Sequence, residues 1–361
     1  MSVEDTLPDE IEDYVEFYLK YRDLTPNSER KTRRAVRYLR EYLEEHHPDT
    51  NVNEVSSLHI AEWVSNDLRE KMTDDSVNTY LSFLNPFYDF YARKGRMGNP
   101  IPDAKEHHLN LNLSNSGKER PEVSLSLMQS ILDSVDQPLA KAELMMLLKT
   151  GARASEICNL DLRDINLDHE GYRRTYLEDD NHNVTLRAQI QSRPDSIYFA
   201  SDITEGNVVN GEERKDSNKR VNSSIVPIDN DLKRVLLRWL ACRQDTPEHP
   251  AQPLFLKRHS IKPERMTRNA LKDQVARLTE NAGQRLTPHF FRSYFTTMHR
   301  EVPESVADTA SKEDMHLPSI PKPQLHYIRG DAEEDIVDRY TQNWSLLLEA
   351  TYRQNVYKFD V

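Results

Sequence analysis

The chain is 361 residues long, enough for two domains with separate cores, and its 48 Lys and Arg against 60 Asp and Glu leave a net charge of −12. A phosphate ligand needs a positive surface, so this balance argues against nucleic acid unless a local basic face coexists with an acidic, salt-adapted exterior. Two cysteines without CxxC spacing, a polar acidic start and no apolar run of membrane length argue against a disulfide framework, a zinc site, a signal peptide or a membrane span, so a soluble cytoplasmic protein is expected.

Residues 1–100 predict a helical domain. "PDEIEDYVEFYLKYR" carries an apolar stripe of Ile11, Tyr14, Val15, Tyr18 and Leu19. "TPNSERKTRRAVRYLREYLEEHH" follows, with a Thr25-Pro26 start and Val36, Leu39 and Leu43 on one face. Arg30, Arg34 and Arg37 share another face, which suits either a phosphate backbone or solvent, with Glu41, Glu44 and Glu45 balancing the charge. From the charge run alone, the solvated face is favoured. A third helix is expected in "SSLHIAEWVSNDLRE" and a fourth in "SVNTYLSFLNPFYDFYARKG", where Pro86 should kink or split it.

Weak periodicity and many Asn, Ser and Pro residues mark 101–120 as a linker. A second domain, 121–361, begins with the helices "EVSLSLMQSILDSV" and "PLAKAELMMLLKTG". Short strands are expected in "NVTLRAQI", "DSIYFASD" and "SSIVPID", and helices resume with "DNDLKRVLLRWLACR" and continue to the end. The expected fold is mainly α with a small antiparallel β-sheet inserted in the second domain.

Two short motifs fall in that domain. "LKTGARASEICNL" places Arg153 beyond a helix end marked by Gly151, with Glu156 three residues on. "TPHFFRSYFTT" puts His289 and Arg292 at i and i+3, on one helical face. Either pair alone reads as an ordinary structural pair. Together with a late tyrosine they suit metal-free attack on a phosphodiester, in which guanidinium forks clamp the non-bridging oxygens and stabilise the transition-state charge. A tyrosine nucleophile stores the bond energy as a phosphotyrosyl ester, so rejoining needs no ATP or other cofactor, and a lysine is a suitable acid for the leaving 5′-oxygen.

At these residues the sequence resembles the tyrosine recombinase (phage integrase, Xer-like) family, over nearly the whole chain. "TGARASE" is similar to the first arginine box and maps Arg153 to its catalytic arginine and Glu156 to the supporting acid; "HFFR" maps His289 and Arg292. The N-terminal helices resemble the family's SAM-like core-binding domain, which implies a DNA-facing role for Arg30, Arg34 and Arg37 after all. In the family this domain and the α+β catalytic domain close on double-stranded DNA as a clamp. The family's lysine precedes a "V-P" strand end, which selects Lys219, eight residues before Pro227, with Lys215 as runner-up. The chain from Arg153 to Lys219 is longer than the family needs, so 170–215 is expected to be an enlarged hairpin or insertion.

The third box is usually L-G-H, with Trp an alternative to His, and the nucleophile follows nine residues later. Here "RGD" aligns with it and the spacing selects Tyr340 over Tyr327, Tyr352 and Tyr357. Asp331 then stands at the His position, where a carboxylate accepts hydrogen bonds but donates none. The missing donor falls to His326 or another group, or the loss is tolerated. The resemblance implies site-specific recombination or integration by a homotetramer on DNA, with a terminal helix docked on the next subunit or packed on its own domain. The alternative is a catalytically impaired DNA-binding protein of the same fold, acting as a regulator or accessory factor.

Overall fold

The computed structural model describes residues 11–22, 24–111, 121, 123–180, 182–246, 249–257, 263–299, 319–331, 344–359 and 361. The chain divides into two compact units, Met1–Arg120 and Pro121–Val361.

The first unit is helical. Helix α1 spans Ile11–Lys20, α2 spans Pro26–His46, α3 spans Ser57–Trp63 and runs on as a π-helical turn over Val64–Leu68, and α4 spans Asp74–Ala92. Thr25 caps α2, its hydroxyl accepting from the Ser28 N–H at 3.4 Å, which satisfies a donor that the first turn leaves open. Leu39, Trp63, Leu81 and Tyr91 are buried in one core.

Of the kink or split expected at Pro86, the split does not occur: helix α4 runs through it unbroken. An interior proline costs about 3 kcal/mol, but Phe87, Tyr88 and Tyr91 are all buried just beyond it, and each large apolar side chain contributes roughly 1.5–3 kcal/mol. The hydroxyls of Tyr88 and Tyr91 also donate to the carbonyls of Val52 and Tyr14, at 3.2 and 2.6 Å. Burial therefore outweighs the broken ladder.

The stretch expected as linker from residue 101 begins as structure. Pro100–Asp103 is helical, Ala104–His108 continues as a π-helical turn, and Ile101, Ala104 and Leu109 are buried in the first unit's core. This element is too short to leave a readable periodicity.

In the second unit α5 spans Leu125–Asp133, α6 Pro138–Thr150 and α7 Ala154–Cys158. Strand β1 is Ile165–Asn166 and β2 is Ser196–Phe199; Val208–Val209 and Glu212–Glu213 form a separate hairpin, β3–β4; and β5 is Ser224–Pro227. The main sheet is antiparallel with order β1-β2-β5, and Ile197 of β2 sits opposite both Ile165 and Val226. Helices α8 (Asn230–Cys242), α9 (Arg268–Glu280), α10 (Pro288–His299), α11 (Lys322–Arg329) and α12 (Trp344–Asn355) complete it.

"DSIYFASD" and "SSIVPID" contain β2 and β5, but "NVTLRAQI" forms no strand. Its Arg187 is drawn instead to the buried Asp164, Nε donating to Oδ1 at 2.6 Å, while the Arg187 N–H donates to the Arg163 carbonyl. The tail packs on its own domain: Leu348, Tyr352, Val356, Tyr357 and Phe359 join the second unit's core.

Candidate active site

The first box is a helix end followed by a helix start. Gly151 closes α6 in the left-handed region at φ 58°, where glycine avoids the strain of a side chain, and a Cβ there would lie 2.5 Å from the Phe295 ring. The chain then turns so that Arg153 precedes α7, its N–H donating to Glu156 Oε2 at 2.8 Å and its Nη1 to Oε1 at 3.0 Å. Glu156 is fully buried, and Arg220 Nε faces its Oε2 at 3.3 Å. The i, i+3 spacing thus serves as both a cap and a side-chain orienter.

Arg292 comes from α10 and is buried. Its Nη1 donates to the Gly151 carbonyl at 2.7 Å and its Nη2 to the Arg329 carbonyl at 3.1 Å, which ties the second box to the first and third. Burial pushes its guanidinium down to about 10, with the Arg153 charge acting the same way and Asp331 opposing.

The third box ends α11. Gly330, at φ 67°, caps that helix, and Arg220 packs where a Cβ would stand, Cγ and Nη1 both at 2.8 Å. Arg220 is itself buried; its Nη2 donates to the Ile328 carbonyl at 2.9 Å and its guanidinium covers the Phe199 ring at 4.5 Å. Burial pushes the Arg220 guanidinium down while Glu156 opposes.

Asp331 closes the arrangement. Its Oδ1 accepts from Arg292 Nη2 at 2.5 Å and from Arg153 Nη2 at 3.4 Å, and its Oδ2 faces Arg329 Nη2 at 3.0 Å. Both arginines singled out by the sequence therefore meet at one carboxylate oxygen. A pair of guanidiniums converging on one anion has the geometry that clamps a phosphate.

The other expected residues are placed less centrally. His289 is exposed on the first turn of α10, and His326 is half-buried on α11, its carbonyl accepting the Asp331 N–H at 3.1 Å. Lys219 and Lys215 are exposed on the long excursion between β2 and β5, and among the described residues neither bonds to the arginines. The excursion is anchored on both sides of Lys219, by Arg220 and by Asn218, whose Nδ2 donates to the Ala200 carbonyl at 2.9 Å. It is anchored further back by the Arg214 Nη2 to Asp161 Oδ2 bond of 2.7 Å and by Arg265, which bonds both Asp161 and Glu212. Tyr340 lies outside the described residues.

On the first unit Arg30, Arg34 and Arg37 are exposed along α2, opposite the buried Ala35, Val36 and Leu39. Arg34 lies over Tyr38 and Tyr80, which stack at 5.6 Å and 11°, so its face is a cation resting on aromatic rings rather than a bare charge run. Arg37 also faces Glu41, at 3.7 Å. Sequence reasoning missed Arg220, Arg329 and this ring pair; Arg220 stands one residue from the selected Lys219 and Arg329 two from the selected Asp331.

Residues 11–95 match the phage integrase, N-terminal SAM-like domain. No curated protein matches the chain. Among solved structures, the Tn1549 transposon integrase with transposon right end DNA is 17% identical, covering 89% of this chain and 90% of that one, with a TM-score of 0.58. A lambda integrase tetramer bound to a Holliday junction is 11% identical, covering 93% and 82%, with a TM-score of 0.57. A lambda integrase (75–356) dimer on a COC′ core site is 13% identical, covering 84% and 96%, with a TM-score of 0.54. The chain shares the fold of these integrases, and residues 11–95 form an integrase SAM-like domain.

Proposed function

We propose that the protein is a site-specific DNA recombinase that cuts and rejoins strands through a 3′-phosphotyrosine. The observation that carries this reading is the convergence of Arg153 and Arg292 on one anion, backed by the buried Glu156, in an integrase fold. In the reaction the Tyr340 oxygen attacks the scissile phosphorus as its proton passes to solvent water, the two guanidiniums and His289 hold the non-bridging oxygens, and the bond to the 5′-oxygen breaks. Lys219 gives that oxygen its proton. Rejoining is the reverse, with a 5′-hydroxyl attacking the tyrosyl ester, so neither ATP nor a metal takes part.

The N-terminal unit grips duplex DNA through Arg30, Arg34 and Arg37. As in the lambda integrase tetramer on its Holliday junction, the working form is a homotetramer on DNA, acting in the cytoplasm. The test is incubation with a nicked duplex of the cognate site, which traps a covalent protein–DNA adduct. Adduct is expected from the wild type and none from Tyr340→Phe; adduct that persists in that variant removes Tyr340 as nucleophile.

A further inference from the structure

Three guanidiniums, not two, face Asp331. Arg153 and Arg292 meet its Oδ1, and Arg329 meets its Oδ2 at 3.0 Å. Arg329 is held there from both ends: its carbonyl accepts from Arg292, and its side chain is about four-fifths covered. Its Nε finds no hydrogen-bond acceptor among the described residues.

We propose that Arg329 is a third phosphate-binding arginine of this site, and that Asp331 is the internal anion that keeps the three guanidiniums assembled until a DNA phosphate displaces it. This deepens, and rests on, the recombinase reading above.

A carboxylate and a phosphodiester both carry one negative charge over two free oxygens, so the same N–H groups serve either. Asp331 donates no hydrogen bond to phosphate, whereas the neighbouring Arg329 donates several, so the donor missing from the third box is supplied two residues earlier. The charges permit the exchange. Arg153, Arg220, Arg292 and Arg329 face Glu156 and Asp331, which leaves room for one more monoanion without a net negative site. Burial of Arg292 and Arg329 lowers both guanidiniums, the condition in which a cation gains most from an added anion.

The full chain is titrated with inorganic phosphate while arginine side-chain Nε–H signals are followed by NMR. Asp331→Asn, which removes the competing charge, is expected to bind phosphate about tenfold more tightly than wild type, and Arg329→Leu about tenfold more weakly, with Arg329→Lys recovering part of the loss. An Arg329→Leu affinity within about twofold of wild type, or weaker binding by Asp331→Asn, overturns the proposal. Adduct formation on the nicked duplex separates it from the reading beneath it. Wild-type adduct with unchanged rate in Arg329→Leu sinks the role of Arg329 alone. Arg329-dependent phosphate binding with no adduct on any duplex upholds the three-arginine array and sinks the recombinase reading.

Discussion

Lys149 offers the sharpest test of what holds the candidate site together. It lies on α6, four residues before Arg153, and its side chain is completely buried. Its Nζ donates to Asp229 Oδ2 at 2.7 Å, to Asp231 Oδ2 at 3.0 Å and to the Tyr357 carbonyl at 2.6 Å, so one ammonium joins the helix that presents Arg153 to α8 and to the C-terminal tail. Replacing it with Met keeps the volume but strips two buried carboxylates of their shared partner, which costs about 3–5 kcal/mol for a buried pair. Lys358 at 3.1 Å from Asp229 and Arg234 at 3.2 Å from Asp231 remain, both about half exposed, and their partial compensation favours the lower end, about 3 kcal/mol. At roughly 2–4 °C per kcal/mol for a unit of this size, the calorimetric midpoint of the second unit should fall by about 10 °C. Cleavage of the tail by a protease should quicken in step. Adding Asp229→Asn and Asp231→Asn, which keeps the α8 cap, should recover at least half of the loss, because neutral replacement of a buried ion cluster is often close to neutral. A shift under about 2 °C in Lys149→Met, or no recovery in the triple variant, would refute the argument.

Two further outcomes follow from buried groups and from glycine geometry. Burial raises the Glu143 carboxyl to about 8, with Gln274 Nε2 donating to its Oε2. Because the folded value lies above the unfolded one, the stabilisation is full below about pH 4.5 and lost as pH rises to about 8. Urea unfolding should therefore show Glu143→Gln gaining on wild type by roughly 1.4 kcal/mol per pH unit across that window, and a flat difference would contradict the burial argument. Gly283 and Gly151 both have positive φ, but an added Cβ meets nothing within 4 Å at Gly283 and the Phe295 ring at 2.5 Å at Gly151. Gly283→Ala should cost about 1 kcal/mol from backbone strain alone and Gly151→Ala about 3 kcal/mol or more, with equal costs arguing that Phe295 yields freely.

Much of the fold was legible because its signals are local. The apolar stripe of α2, the Thr25 cap and the Gly151 helix end each act within a turn or two of chain, so residue order reveals them directly. The pairing of Arg153 with Glu156 was legible for the same reason. What stayed hidden depends on partners distant in sequence. Pro86 sits inside a helix because three aromatic side chains beyond it are buried elsewhere in the bundle. The alternating pattern of 183–190 fails to form a strand because Arg187 answers a carboxylate at position 164. Arg220 looks like one more surface cation beside Lys219, yet it is the buried one, closed over by Gly330 and paired with Glu156. The exposure of Lys219 follows from the burial of Asn218 and Arg220 on either side of it.

Asp331 shows the same limit from the other direction. As a departure from a three-residue pattern it reads as a lost donor, a defect at one position. Its meaning lies in Arg153 and Arg292, which come from elements 178 and 39 residues away, and in Arg329, two residues before it. A carboxylate placed alone between Arg153 and Arg292 would cancel part of their charge; a carboxylate that arrives with its own arginine leaves the total unchanged and adds a donor. The pairing also bears on the acidic composition. A net charge of −12 spread over the chain says little about a site in which four guanidiniums from separate elements face two carboxylates. Folding concentrates positive charge at this one place, and at short range an acidic exterior does not cancel it.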